Sequence, residues 1–297
     1  MTSQQQLVCD SSTLANFKQW AQAISTFFST AGWTQSSDTG QVNWSSIGAV
    51  PGSGAFVYEV WRPNDGLTNF YLKIEYGNVS GTNCPSLRFS VSTTTDGAGT
   101  LTGIVLGPLN TNNAGYTPSS AVTQYECNFS GAAGRMGVML WRNNATGNNC
   151  QQFFAVERSL NASGAATGTY VTVWTCGFSK GSSQQTLVFG VGVTELNNSA
   201  GNGKGWVTRV WNPPSGSTAF NGAIPFDACS PMIGYFDYPS TVCGAAFGLD
   251  ITDGVTFTVT LYGSTRTYMP GKNGPFGQAS IGNNTSVVTV ALCMRYD

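Results

Sequence analysis

The segment Gln151–Thr175, QQFFAVERSLNASGAATGTYVTVWT, decides the fold class. Two runs rich in aromatic and β-branched residues, Phe153–Arg158 and Thr169–Thr175, flank a polar stretch of Gly, Ala, Ser and Asn, the pattern of an antiparallel hairpin with a longish loop. In the first run Phe154, Val156 and Arg158 share one face, and Phe153, Ala155 and Glu157 the other. Aromatics on both faces imply cover on both sides. A strand is predicted before the hairpin at Met136–Arg142 and another after it at Gln185–Val193. The centre of the chain therefore reads as an antiparallel meander around which the rest packs.

Moving towards the N-terminus, strands are expected at Val122–Phe129, Ile104–Leu106, Leu87–Thr93, Phe70–Tyr76 and Ala55–Arg62. The last two are separated by the turn Pro63-Asn64-Asp65-Gly66. A short strand is predicted at Gln41–Trp44. The convincing helix is Ser12–Thr30, where Leu14, Phe17, Ala21, Ile24, Phe28 and Ala31 recur at steps of three and four, widened by Trp20 and Phe27. Asp10, Ser11 or Ser12 can cap its start, and Gly32 stands where a left-handed residue ends a helix. At 1.5 Å per residue it spans roughly 28 Å, enough to lie across a sheet.

On the C-terminal side, Gly205–Trp211, Val255–Tyr262, Arg266–Met269 and Ser286–Met294 read as strands. The continuous apolar run of the last suits a central position. Pro108–Ser120, Ala219–Cys243 and Gly271–Asn284 have no period and read as excursions. The expected architecture is mainly β: an antiparallel β-sandwich or jelly-roll-like body with one N-terminal amphipathic helix. Residues 1–33 form an arm and helix and 34–297 the β body, with 108–120 or 197–204 as places where it can divide.

Charge is scarce. Of 297 residues only 9% are charged, with 13 Lys and Arg against 14 Asp and Glu, while 41% are hydrophobic. There is no field to attract nucleic acid or an anionic membrane, and little self-repulsion to keep copies apart. The start, MTSQQQLVCD, shows neither a basic leader nor an apolar signal core, and no window is long and apolar enough for a membrane span. Ordinary export is not expected, and the Asn-x-Ser/Thr triplets at Asn43, Asn78, Asn128 and Asn161 are read as chance products of composition. The 8 cysteines are widely spaced. They are either buried thiols or, in part, disulfides formed in an oxidising medium, with Cys229 and Cys243 the pair flanking a compact loop.

The absence of histidine from the sequence removes Ser-His-Asp and Cys-His catalysis and the usual zinc chemistry. What survives is carboxylate chemistry. Glu59, Glu75, Glu126, Glu157 and Glu195 lie in or beside strands, and two on one face a few Å apart can hydrolyse a glycoside. The same residues are expected on strands of any β protein. Asp250–Gly254 is read as an Asx-capped turn rather than a calcium loop, and Asp96-Gly97-Ala98-Gly99 as a hairpin connector rather than a phosphate loop. Arg62, Arg142 and Arg158, with Glu59 and Glu157 close by, are expected to form ion pairs at sheet ends or subunit contacts. Phe17, Trp20, Phe28, Trp206, Trp211, Phe226, Tyr235 and Phe236 are the candidate core or interface anchors. No catalytic, metal or cofactor residue is assigned.

The segments FYLKIEYG (70–77), PSLRFSVSTTTDGAGTLTG (85–103), RMGVMLWR (135–142) and FFAVERSLNASGAATGTYV (153–171), after a helix ending in AGW (31–33), resemble a group of virion structural proteins of tailed bacteriophages. The resemblance covers mainly residues 12–175. It implies a non-enzymatic virion component present in many copies, on the head exterior as capsid decoration or in the tail. Its partners would be other copies of itself and other virion proteins. The alternatives are a carbohydrate- or receptor-binding module of a tail, taking a host-surface glycan, and a glycoside hydrolase with paired Glu.

Overall fold

The computed structural model describes residues 1–9, 11–78, 85–110, 124–142, 150–161, 163–178, 184–190, 193–198, 226–228, 232–233, 236–237, 241, 243–247, 256–270, 279–280, 287–288 and 290–297. The chain opens with β1 (Thr2–Val8) and α1 (Leu14–Thr30), the one helix among the described residues. There follow β2 (Thr34–Gln35), β3 (Phe56–Arg62), β4 (Tyr71–Asn78), β5 (Pro85–Thr95) and β6 (Leu101–Asn110), which form a first antiparallel sheet in chain order. Next come β7 (Gln124–Ala132), β8 (Arg135–Arg142), β9 (Cys150–Leu160), β10 (Ala166–Phe178), β11 (Gln184–Gly190) and β12 (Val193–Asn198). These make the middle sheet, again in chain order, with β1 added beside β7.

The C-terminal part contributes β13 (Phe226–Ala228), β14 (Met232–Ile233), β15 (Phe236–Asp237), β16 (Cys243–Phe247), β17 (Phe257–Leu261), β18 (Ser264–Pro270), β19 (Ala279–Ser280), β20 (Val287–Val288) and β21 (Val290–Arg295). The third sheet runs β13-β16-β21-β18-β17, so the apolar closing strand is central, as its sequence implies. Strands β14–β15 and β19–β20 pair on their own. Every pairing among the described residues is antiparallel.

The helix begins one residue beyond the caps the sequence favours: Thr13 is the N-cap, its hydroxyl accepting the Asn16 N–H at 3.2 Å. Its end follows expectation. Gly32 takes φ +90°, Gly32 N–H donates to the Ser29 carbonyl at 3.1 Å and Trp33 N–H to the Phe28 carbonyl at 3.0 Å, a complete Schellman closure. The Phe28 and Trp33 rings meet edge-on at 5.3 Å across it. Gln41–Trp44 is not a strand. Val42 N–H bonds the Tyr58 carbonyl, and the Gln41 amide folds back on the Ser36 and Asp38 carbonyls, which favours an irregular crossing. Residues 2–8, read as part of an arm, instead form β1 in register with β7 from Thr2 opposite Ser130 to Val8 opposite Gln124.

One apolar core joins α1, the first sheet and the middle sheet. Phe27 stacks on Phe129 of the middle sheet, Phe28 on Trp61 of the first, and Phe89 on Phe154 between the two, at ring centroid distances of 5.3, 5.4 and 3.6 Å. Phe17, Trp20 and Phe28 are fully buried, each contributing about 1.5–3 kcal/mol or more by removal from water. The opposite face of the middle sheet carries the third: the Met294 sulfur lies over Gly137, and Arg295 reaches Glu157. From Phe154 through Leu160, all buried, strand β9 is thereby covered on both sides.

Close approach of the helix to β7 depends on Gly131, where a Cβ would stand 2.9 Å from the Ala31 methyl and 3.1 Å from the Phe27 ring. Gly131→Ala is therefore expected to destabilise the fold by about 1–3 kcal/mol through overpacking, read as a lowered midpoint in thermal or urea unfolding.

Candidate functional site

Among the described residues three buried polar nodes join one layer to another. The first is Glu59, on the inner face of β3 and 1% exposed. Its Oε1 accepts the Ser25 hydroxyl of α1 and the Trp44 indole N–H, both at 2.7 Å. Its Oε2 accepts the Tyr76 hydroxyl of β4 at 2.9 Å and the Trp61 indole N–H at 3.2 Å. A carboxylate removed from water is costly unless its lone pairs are engaged, and here neutral donors from a helix, a loop and two strands engage them. Burial still raises the Glu59 pKa above its ordinary 4.5, against the pull of those bonds. The facing Tyr76 is pushed well above 10 by its own burial and then by Glu59.

The second node is Arg158, whose Nε and Nη2 take both oxygens of Asp65 while Nη2 also donates to the Thr68 carbonyl at 2.8 Å. Its guanidinium stands 5.1 Å from the centre of the Phe70 ring. Burial alone would raise Asp65, but the Arg158 and Leu67 hydrogen bonds and the guanidinium charge hold it below 3.8. The node ties β9 to the turn between β3 and β4.

The third lies between the middle and third sheets. Glu157 accepts the backbone N–H and the hydroxyl of Thr241 and an Arg295 Nη1 at 3.3 Å. Arg295 Nε donates to Asp297 at 2.6 Å, and Arg135 donates to the Asp297 backbone oxygen, also at 2.6 Å. Burial, then the neighbouring Arg295, lowers Arg135 to about 10. Burial opposes but does not outweigh the Arg295 bond and charge, the Thr267 N–H and Arg135, which keep Asp297 below 3.8.

Of the expected ion-pair residues, Arg158 and Glu157 are paired, though with distant partners and not with each other. Glu59 is a correction: two indoles and two hydroxyls hold it, and among the described residues no cation does. Arg62 is exposed at the end of β3 and makes no ion pair among the described residues. Phe17, Trp20 and Phe28 are core residues. Trp206, Trp211, Tyr235 and Cys229 lie outside the described residues, and of Arg142, Phe226, Phe236 and Cys243 the strand backbone alone is described. Sequence reasoning missed Asp65, Thr241, Arg135, Arg295 and Asp297, whose partners are remote in the chain. The turn Pro63–Gly66 signals a bend and says nothing of an arginine ninety-odd residues away.

The strand registers separate Glu59 from Glu75 and Glu126 from Glu157; of Glu195 the strand backbone alone is described. Glu59 pairs with Ile74, which places Glu75 on the opposite face, where it meets Arg88 at 3.0 Å. Glu126 and Glu157 share a face, but the row of Glu157 crosses β7 at Ala132, about 20 Å along the strand from Glu126. Paired-carboxylate glycosidases hold the two groups roughly 5–9.5 Å apart. Among the described residues no group of His, Cys, Asp or Glu could hold a metal ion. Compared with protein-family models, with curated proteins and with solved structures, the chain matches none.

Each Glu59 oxygen faces one indole N–H, which can only donate. In Glu59→Gln the amide NH2 confronts Trp44 or Trp61 whichever way it is flipped, so a loss of about 1–3 kcal/mol is expected in urea unfolding. The pH dependence has a defined sign. A raised Glu59 costs stability above its folded pKa, and this cost is relieved as pH falls towards 4.5. The lowered Asp65 and Asp297 contribute stability that is complete above 3.8 and lost as pH falls through their folded values. Unfolding free energy from urea titrations is expected to rise on mild acidification from neutrality and to collapse below 3.8, and Glu59→Gln to abolish the rise.

Proposed function

We propose that this chain is a non-enzymatic structural protein of a bacteriophage virion, a capsid-associated (decoration) or tail component that stabilises the particle by adhering to neighbouring copies and other virion proteins. The virion setting rests on the sequence resemblance. The building-block role is supported above all by the sheet edges. Strands β1 (TSQQQLV) and β17 (FTVTL) are terminal in their sheets and carry neither charge nor proline. Monomeric β proteins blunt such edges with lysine, proline or bulges, so unguarded ones suit a protein whose edges meet partners. Among the described residues Glu59, Glu157 and Arg158 are buried and fasten layers, and the low charge of the whole sequence leaves little repulsion between copies.

In this reading the first and middle sheets form a β-sandwich closed on one side by α1. Apart from the single crossover that sets β1 beside β7, the strands of those two sheets follow chain order, which favours a sandwich over a jelly roll, whose Greek keys need repeated crossovers. Assembly would proceed through interfaces of about 1,000 Å² or more. One observation favours the second reading, a carbohydrate- or receptor-binding module of a tail. Phe56, Tyr58 and Tyr71 lie on the outer face of the first sheet. Arg88 already covers Phe56 and Lys73 covers Tyr58, at 3.5 and 4.2 Å, which leaves Tyr71 as the ring for a sugar.

Light scattering across a concentration series is expected to show self-association that Thr258→Lys with Thr260→Lys, two exposed positions on β17, weakens without lowering the unfolding midpoint. A chain that stays monomeric at high concentration and binds glycan in a Tyr71-dependent way would overturn the building-block reading in favour of the second. Copy number by mass spectrometry of purified particles separates the positions, hundreds marking the head and at most a few dozen the tail.

A further inference from the structure

We propose that Cys9 and Cys127 are a dithiol pair that closes to a reversible disulfide when the protein meets a low-molecular-weight disulfide such as oxidised glutathione. Their sulfurs stand 3.6 Å apart and both residues are buried. Cys127 is fixed within β7, whereas Cys9 lies in the connection between β1 and the Thr13 cap, outside any helix or strand. A disulfide needs the sulfurs at about 2.05 Å, a shift of roughly 1.5 Å that an irregular connection can take up more readily than a paired strand. Cys293 belongs to a different core cluster, with Tyr268 in the third sheet, and does not compete.

The exchange balances without further reagents. The Cys9 thiolate attacks one sulfur of glutathione disulfide and releases one glutathione thiolate. The Cys127 thiolate then displaces the second glutathione from the mixed disulfide, and the two cysteine protons end on the two glutathione thiols. Two protein thiols are oxidised and one glutathione disulfide is reduced. Access comes from the position of β1 at the rim of the middle sheet, where a strand with a single neighbour opens most readily. The bond would staple the β1–α1 junction to β7 and enclose the whole first sheet in a loop of roughly 120 residues, which restricts the unfolded chain strongly. It stands apart from the assembly reading and applies to the monomer.

The test is a non-reducing peptide map after incubation with oxidised glutathione, both in native buffer and during refolding, with remaining thiols blocked by maleimide. A cross-linked peptide containing Cys9 and Cys127 is expected, removed by dithiothreitol. The oxidised chain should melt on the order of 10 °C above the reduced one. Cys9→Ala and Cys127→Ala should each show no difference between oxidised and reduced samples, whatever their own stability. Recovery of both residues as maleimide or glutathione adducts under both conditions, or their cross-linking to other cysteines, would overturn the proposal.

Discussion

From Phe154 to Leu160, strand β9 has water on neither face. Phe154 and Val156 enter the core shared with α1 and the first sheet, and Arg158 on the same side reaches Asp65. Glu157 enters the opposite layer, beneath Thr241 and Arg295. A strand sealed on both sides must satisfy every charged group it carries from within the protein. It can do so only if the turn after β3, the segment at Thr241 and the strand β21 are all delivered to it. The arrangement of the sheets follows from that requirement.

The charged residues of this chain are few, and those best described act as bolts. Arg158 with Asp65 joins the middle sheet to the first, and Glu157 with Arg295 and Asp297 joins it to the third. Glu59 does the same for the helix without any cation. Such groups add little net stability over a well-packed apolar alternative, because each is desolvated. Their effect is to penalise wrong arrangements, since a slipped register or a rotated helix would strand a buried charge without partners. Apolar stacking such as Phe89 on Phe154 supplies the driving force that these nodes orient.

Local pattern made some of this legible. The alternation in Phe153–Arg158 announced two-sided cover, the spacing from Leu14 to Ala31 announced the helix, and Gly32 announced its end, because each signal is written within a few residues. Strand β1 escaped notice because TSQQQLV is polar and weakly patterned, and its pairing comes from Gln4, Gln6 and Glu126 meeting across a hundred residues of sequence. The polar nodes were half visible: Arg158 and Glu157 stood out as scarce charges inside an aromatic strand, but which remote residue answers each depends on how the sheets stack. The same limit hid the role of Trp44 and Ser25 at Glu59.

Native-state hydrogen exchange tests the two-sided burial most directly. If β9 is the innermost strand, amides of Phe154–Leu160 exchange only through global unfolding, with a free energy equal to that from urea denaturation, while β1 and β17 exchange faster through local opening. Exchange of the Phe154–Leu160 amides as fast as that of the edge strands, at a free energy well below the global value, would contradict the account.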